Sequence, residues 1–395
     1  MNFQEEVENL ADKYPHLNLL DLHYLLMKYY GINDAATKLG RPTWNLVNNI
    51  SLYHITFGSS EQESPYNINE FEIQFCGKSL PFRVDFVERI PVTIGRYYYF
   101  RRTDYMTPTL DDELIINLNF HRQCFTCKFC QFILYKVQPN ISEEEGFNLI
   151  INGGFNDFKD VAEIAIVTGA LGSEKKIFNH INKIIKLAVE LGFRGRVFYM
   201  GFELIDPKLI KRLHSNISRL GLKNFRMAYT VEMFNDRKRL MRGNKSAGSL
   251  LEIIQILKSL RDEGLINLEY AYIPSFDTLD EFKRGAEKLS LLAIPHISIF
   301  RPWRNGQRNQ QASTDYIDKG PQYLCEMRQF YETLYSKNIY GNNLGNLWPF
   351  PLNRINKLWV EGKIVGDSIG KRYWLNKIDP RITMIQIPNT NSSPQ

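Results

Sequence analysis

Apolar and polar positions follow three different periods along this 395-residue chain. Over about the first 50 residues the apolar positions recur near helical spacing, in LLDLHYLLMKYY and INDAATKL, which predicts helices. Between about 70 and 100 the period shortens to two. There EIQFCGKSLPFRVDFV and the aromatic RYYYF read as strands, with Gly77 and Pro81 marking a turn. The tail after Pro380 ends in NTNSSPQ and reads as frayed.

The middle of the chain alternates between short β-prone runs and amphipathic helical stretches. The predicted strands are Leu114–Phe120, Glu163–Thr168, Arg196–Met200, Phe225–Val231, Leu268–Ile273 and His296–Phe300, their starts roughly 30 to 50 residues apart, the length of one βα unit. KKIFNHINKIIKLAVELG and GSLLEIIQILKSLRDEG are the clearest helices, each closed by a glycine suited to a helix stop. Six strand–helix units imply an α/β fold with a parallel sheet, either open and doubly wound or curled into a partial barrel. In both, ligands collect at the carboxyl ends of the strands, where the βα loops converge. The division this suggests is an N-terminal extension over 1–110, a βα core over 111–305 and a C-terminal extension over 306–395.

Composition narrows the class. With 44% hydrophobic and 23% charged residues the chain can bury a core and is not disordered. Its net charge of +6 is too diffuse to argue for nucleic acid. No apolar run approaches the roughly 18 residues of a membrane helix, and the acidic, amphipathic start MNFQEEVENLADKYPHL does not read as a secretory signal.

The chemistry concentrates in residues 121–130, HRQCFTCKFC, which place Cys124, Cys127 and Cys130 in a C-x2-C-x2-C array just after the first predicted strand of the core. Thiolates so close together can wrap one inorganic centre. A structural zinc site takes four protein ligands, typically as two separated pairs. Cys76 and Cys325 are isolated, so no second pair is present. Three cysteines suit a [4Fe–4S] cluster with one iron open to an exogenous ligand; the zinc alternative would make this a zinc-stapled nucleic-acid-binding protein. Three buried cysteines packed as small hydrophobes fit poorly with the interleaved Arg122, Gln123 and Lys128.

With its cysteine triplet after the first strand, the sequence resembles the radical S-adenosylmethionine enzymes. That family's usual spacing is C-x3-C-x2-C, one residue longer in the first gap. The resemblance spans roughly residues 110–305. It implies a partial (β/α)6 TIM-like barrel in which the open iron chelates the amino and carboxylate groups of S-adenosylmethionine. The stretch Thr168–Glu174 is similar to the family's Gly-Gly-Glu loop, with Gly169 in place, Ala170 where the second glycine would be and Glu174 displaced. The segment from Val231 to Lys245 is similar to the one that contributes a strand-end carboxylate and a following basic residue. It assigns Glu232 as the polar anchor and Arg242 or Lys245 as partner of the cofactor carboxylate. Tyr272 and Arg301, at the ends of the fifth and sixth strands, correspond to positions flanking the adenine and the substrate.

The family's chemistry passes one electron from the reduced cluster to the sulfonium, and the resulting 5′-deoxyadenosyl radical removes hydrogen from carbon. No cysteine-rich region follows the core, so the auxiliary-cluster domain of some relatives cannot be built, and the first 110 residues show no cobalamin-type βα repeat. Cys325, in GPQYLCEMRQFYETLY, is the only cysteine besides the triplet within or after the core. A thiol is a suitable hydrogen donor because its S–H bond is weak. The layout resembles the radical peptide epimerases of the proteusin type, which convert L to D residues in ribosomal precursor peptides. The resemblance therefore implies an isomerase in the biosynthesis of ribosomally made peptides, with Cys325 as hydrogen donor and a precursor peptide (leader plus core) as substrate. It further implies an electron donor such as flavodoxin or ferredoxin, a cytoplasmic location, and neither nucleic acid nor membrane as partner. Backbone excision, carbon–carbon or thioether crosslinking and C-methylation are the alternatives within the same chemistry. Tyr97–Arg102 and Trp348–Phe350 are candidate walls of a peptide groove, and the N-terminal helices a candidate leader or partner site.

Overall fold

The computed structural model describes residues 2–15, 17, 19–32, 43–48, 51–56, 64–69, 72–87, 98–101, 112–117, 127–130, 142–152, 157–159, 161–169, 172–222, 225–246, 249–290, 293–297 and 311–336. The chain divides into two compact units, one of residues 1–88, 103–110 and 319–395, the other of residues 89–102 and 111–318. Residues 319–336 thus cluster with the N-terminal region.

In the first unit, α1 (Phe3–Lys13) begins at Asn2, whose side chain accepts from the amides of Gln4 and Glu5. It is followed by α2 (Leu19–Tyr30). The helical pattern does not continue to residue 50. Thr43–Asn48 (β1) and Ser51–Thr56 (β2) pair antiparallel, Asn48 opposite Ser51. In TWNLVN the apolar Trp44 and Leu46 stand two apart, and Trp44 and Val47 have high β-propensity, which favours a strand over a helix. INDAATKL lies, beyond Ile32, outside the described residues. The sheet is completed by β3 (Tyr66–Asn69), β4 (Glu72–Phe75) and β5 (Lys78–Val87), in the order β2-β1-β5-β4-β3. Gly77 does turn the chain: Cys76 and Gly77 both have positive φ, 49° and 78°, between the paired Phe75 and Lys78. That is the two-residue hairpin loop whose twist suits the flanking strands. Pro81 instead lies within β5, between its Gln74–Ser79 and Glu72–Arg83 pairings, where the register shifts and no ladder bond is required of it.

The second unit carries a seven-stranded sheet. β6 (Tyr98–Arg101) borders β7 (Asp112–Asn117) antiparallel. Then β8 (Val161–Val167), β9 (Arg196–Gly201), β10 (Phe225–Glu232), β11 (Asn267–Tyr272) and β12 (Ile294–Ile297) follow, each parallel to its predecessor. All six strands foreseen in the sequence are present within a few residues of their expected limits. Their spatial order is their chain order, with no reversal. A doubly wound sheet needs such a reversal, so the alternative of an open doubly wound sheet falls away.

The crossovers carry α3 (Glu143–Asn152), α4 (Glu174–Glu190), α5 (Pro207–Arg219), the short α6 (Arg237–Leu240) with α7 (Leu250–Asp262), and α8 (Leu279–Ser290). Consecutive helices pack side by side, α3 on α4, α4 on α5 and α5 on α7, which puts them in one layer on one face. That is the arrangement right-handed crossovers produce when a parallel sheet is wound in one direction. Ser173, Asp206 and Ser249 cap α4, α5 and α7 by accepting from amides of the first turn. Beyond β12 come α9 (Thr314–Lys319) and α10 (Pro321–Ser336), the latter packed on α2 within the first unit.

The two faces of the sheet differ. Phe282 of α8 stacks on Tyr272, ring centroids 5.8 Å apart, which identifies the helix-facing side. By the strand registers that side also carries Ile164, Ile166, Val197, Tyr199, Met227, Tyr229, Leu268 and Tyr270, all buried. The opposite face is smaller in its middle, where Ala165, Phe198 and Ala228 form one cluster with Val167 and Met200 against it. At the amino ends of the strands the same face holds charges. Arg226 joins Glu163 (3.0 Å) and Glu269 (2.7 Å), lies 4.1 Å above the Phe198 ring, and shares Glu163 with Arg196 (3.5 Å). This network fills the amino end of that face. Among the described residues no helix is long and apolar enough to cross a membrane.

Candidate functional site

The segment Cys127–Cys130 is a tight turn in which the Cys130 amide donates to the Cys127 carbonyl at 2.9 Å. Three elements hold it. The Lys128 amide donates to the Leu240 carbonyl at 2.8 Å, and the Gln311 side-chain amide reaches the Lys128 carbonyl at 3.2 Å. Cys127 packs with Met233, Leu240, Met241, Ile273 and Phe276, with Phe129 and Cys130 against the same cluster. Met233–Met241 follow β10 and Ile273–Phe276 follow β11. The cysteine turn therefore sits where the parallel-sheet argument places a ligand, at the carboxyl ends of the strands. Cys124 lies outside the described residues, among which no three His, Cys, Asp or Glu side chains are grouped to hold a metal ion.

Beside Cys127 stand opposite charges. Glu232, the last residue of β10, pairs with Lys245, each side chain 12% exposed, and the Lys245 ammonium lies 5.4 Å from the centre of the Phe202 ring beyond β9. Burial pushes the Cys127 thiol above its ordinary pKa, while Lys245, the Arg242 backbone amide and Arg237 pull toward the thiolate and Glu232 opposes them. A thiol in this setting is poor as a free nucleophile, but its thiolate is favoured once a cation binds it. The Arg242 side chain is exposed and, among the described residues, hydrogen-bonds the neighbouring Met241 carbonyl, at 3.4 Å. Of the two bases proposed to receive a carboxylate, Lys245 is the one beside Glu232.

Glu232 is held in a costly conformation. Its φ is 66°, the left-handed region that non-glycine residues enter at roughly 1–2 kcal/mol. The register between β10 and β11 slips here: Thr230 opposes Ala271 and Glu232 opposes Tyr272, leaving Val231 as the extra residue of a bulge. The Met233 amide then donates back to the Val231 carbonyl at 2.8 Å, closing a three-residue turn with Glu232 at its apex. Bulges of this kind re-aim side chains next to functional sites. On the face away from the helices, Thr230 has its hydroxyl buried with no hydrogen-bond partner among the described residues. Such a group is a cost that a polar ligand would remove.

The remaining candidates divide. Gly169 follows Thr168 at the end of β8, where the Thr168 amide donates to the Met200 carbonyl. Ala170 and Arg301 lie outside the described residues. Glu174 opens α4, and its carboxylate accepts the Asp206 amide at 3.0 Å, so it joins two helix starts; burial raises its pKa. A different acid serves the glycine-rich loop: Glu203, after β9, accepts the Gly172 amide at 3.0 Å, with Gly172 at φ 75°. Tyr272 does not face the open side. It is fully buried on the helix side, stacked 4.5 Å from Phe234, with its hydroxyl donating to Asp277 at 2.8 Å. Alternation along β11 sends Tyr270 and Tyr272 to one side and Ala271 to the other, so a tyrosine at this position meets α8. Cys325 belongs to α10 of the first unit, is fully buried, and lies within electrostatic reach of Tyr14. Tyr98–Arg101 is strand β6, while Trp348–Phe350 lies outside the described residues.

Sequence spacing singles out neither Thr230, Glu203 nor Asp277. Their roles depend on which strand ends meet, and the one local signal is their position at or just beyond a predicted strand.

No protein-family profile matches the chain, and no curated protein sequence matches it. Among solved structures it is similar to Streptococcus suis SuiB bound to S-adenosylmethionine, with 13% sequence identity and a TM-score of 0.39, over 57% of this chain and 48% of that one. The chain thus spans about half the length of that relative.

Proposed function

We propose that this chain is a radical S-adenosylmethionine enzyme. The observation that carries the proposal is the juxtaposition of the cysteine turn with the buried Glu232–Lys245 pair at the carboxyl ends of β10 and β11. A one-directionally wound parallel sheet that curls into a partial barrel suits the same reading, and the strand order supports that curl.

The residues present fit an iron–sulfur cluster and the sulfonium cofactor. Cys127 and Cys130, with Cys124, would hold the cluster. Glu232 would take the cofactor's ammonium, Lys245 its carboxylate, and the Thr230 hydroxyl, without a partner among the described residues, offers one further polar contact. When bound, the two groups supply a reductive cleavage that makes a radical able to take hydrogen from carbon. The chain's own residues bind and orient. The Glu232–Lys245 pair exchanges an internal ion pair for the two charges of an α-amino acid, keeping the site neutral in both states. The apolar cluster around Cys127 keeps water from the cysteine turn.

The finer reading is peptide epimerisation with Cys325 as hydrogen donor, a ribosomal precursor peptide as substrate and a flavodoxin or ferredoxin as reductant. Sequence layout supports it. The enclosure of Cys325 adds the requirement that α10 open for the thiol to reach a substrate carbon.

The test is reductive cofactor cleavage. Anaerobically purified protein supplied with dithionite and S-adenosylmethionine is expected to release 5′-deoxyadenosine and methionine, and Lys245→Met to release at least tenfold less. A native protein that binds iron but releases neither product would reject the proposal.

A further inference from the structure

Two oppositely charged side chains, one half-buried and one buried, account for the backbone of the turn that carries Glu232. Arg237 reaches back over it: Nη1 donates to the Val231 carbonyl and, at 3.1 Å, to the Met233 carbonyl, while Nη2 donates to the Lys245 carbonyl at 2.7 Å. One guanidinium therefore grips the chain on both sides of Glu232 and at Lys245 itself. Its planar fork is what allows three carbonyls to be met at once. Asp277 serves the amides: Oδ2 accepts from Phe234 at 2.8 Å and Oδ1 from Asn235 at 3.1 Å, with the Tyr272 hydroxyl also on Oδ2 at 2.8 Å. Asp277 is fully buried. The segment contains two non-glycine residues in the left-handed region, Glu232 at 66° and Asp236 at 40°. Strain of that kind persists only where the surroundings over-determine it.

We infer that Arg237 and Asp277 are positioning residues for the cofactor site, fixing the spacing and aim of the Glu232 carboxylate and the Lys245 ammonium by clamping the carbonyls and amides of the turn between them. The inference rests on the proposed function, because it assigns that pair a zwitterionic α-amino-acid ligand. Neither residue touches the ligand. Both act through the turn, so their loss widens the pair without removing a charge from it.

The variants are Arg237→Lys, which keeps the charge and loses the fork, and Asp277→Asn, which leaves one acceptor oxygen for two amides. Anaerobic protein reconstituted with iron and sulfide is titrated with S-adenosylmethionine, following the perturbation of the reduced cluster's paramagnetic resonance spectrum. Hydrogen exchange of amides 233–235 is read in parallel. Both variants are expected to retain native iron content, to exchange those amides at least tenfold faster and to need about tenfold more cofactor for the half-maximal spectral change. Faster exchange with a native half-maximal concentration would overturn the inference while leaving the proposed function intact. Native protein that holds its cluster yet shows no perturbation at any cofactor concentration would overturn both. Should Arg237→Lys fail to fold, Asp277→Asn carries the same test, since it frees the amides of the same turn.

Discussion

Lys245 is paired with Glu232 although they stand thirteen positions apart in the sequence, and the pair stands beside Cys127 where β10 ends. Each of its members is nearly buried, so the pair is stable only while both charges remain. Removing one leaves an uncompensated ion in a poorly hydrated site. Glu232→Gln is therefore expected to weaken S-adenosylmethionine binding by at least tenfold, in line with the loss of about 1.5–3 kcal/mol for a charge-assisted hydrogen bond. Isothermal titration of the reconstituted protein measures it. Affinity within twofold of native would remove Glu232 from the cofactor site.

The ion network at the other end of the strands yields a stability prediction. Arg226→Ala would leave Glu163 and Glu269 buried without their principal partner, at a cost of about 3–5 kcal/mol. Burial already raises the Glu269 carboxyl, with Arg226 opposing it. Replacing Glu163, Arg226 and Glu269 together by apolar residues of similar volume should restore most of the loss. Urea unfolding followed by circular dichroism distinguishes the two cases.

In the first unit, His23 is buried against Tyr66, its Nδ1 2.8 Å from the tyrosine hydroxyl, and burial lowers its pKa to about 4. The folded state thus favours the neutral imidazole. The corresponding stability is complete above pH 6.5 and is lost as the pH falls toward 4, about 3 kcal/mol over that window. The urea midpoint of the native chain should therefore fall between pH 7 and pH 4.5 more steeply than that of His23→Gln. Equal slopes would show that His23 is not the titrating group.

Cys325→Ala separates cofactor chemistry from the stereochemical outcome. The variant is expected to cleave S-adenosylmethionine at a native rate and to form no D-residues from a precursor peptide. Chiral amino-acid analysis of the product reads the outcome, and undiminished D-residue formation would remove Cys325 as donor.

The sheet was legible because its signals are local. Six short apolar runs alternate with amphipathic stretches, two of them closed by a glycine at Gly192 and Gly264, and that alternation prescribes parallel strands whatever the surroundings. The early strands β1 and β2 were illegible for the same reason: each is a short run, and so short a signal competes weakly with the helical period of α2 earlier in the chain. At the site, residue type and spacing single out Cys127, Glu232 and Lys245, and the structure stands those three close together, their roles being part of the proposed function. Tyr272 was misplaced because its face depends on which side of β11 meets α8, and that side is set by Phe234 and Phe282 from distant segments. Arg237 and Asp277 were passed over because their work is on backbone atoms of other loops, which residue type and spacing do not reveal.

The most direct test of the central claim is iron and sulfide analysis, with paramagnetic resonance, of protein isolated without oxygen. The native chain is expected to hold about four irons and four sulfides and to lose them together in Cys127→Ala. A colourless protein holding about one zinc, or a Cys127→Ala variant with undiminished iron, would contradict the account.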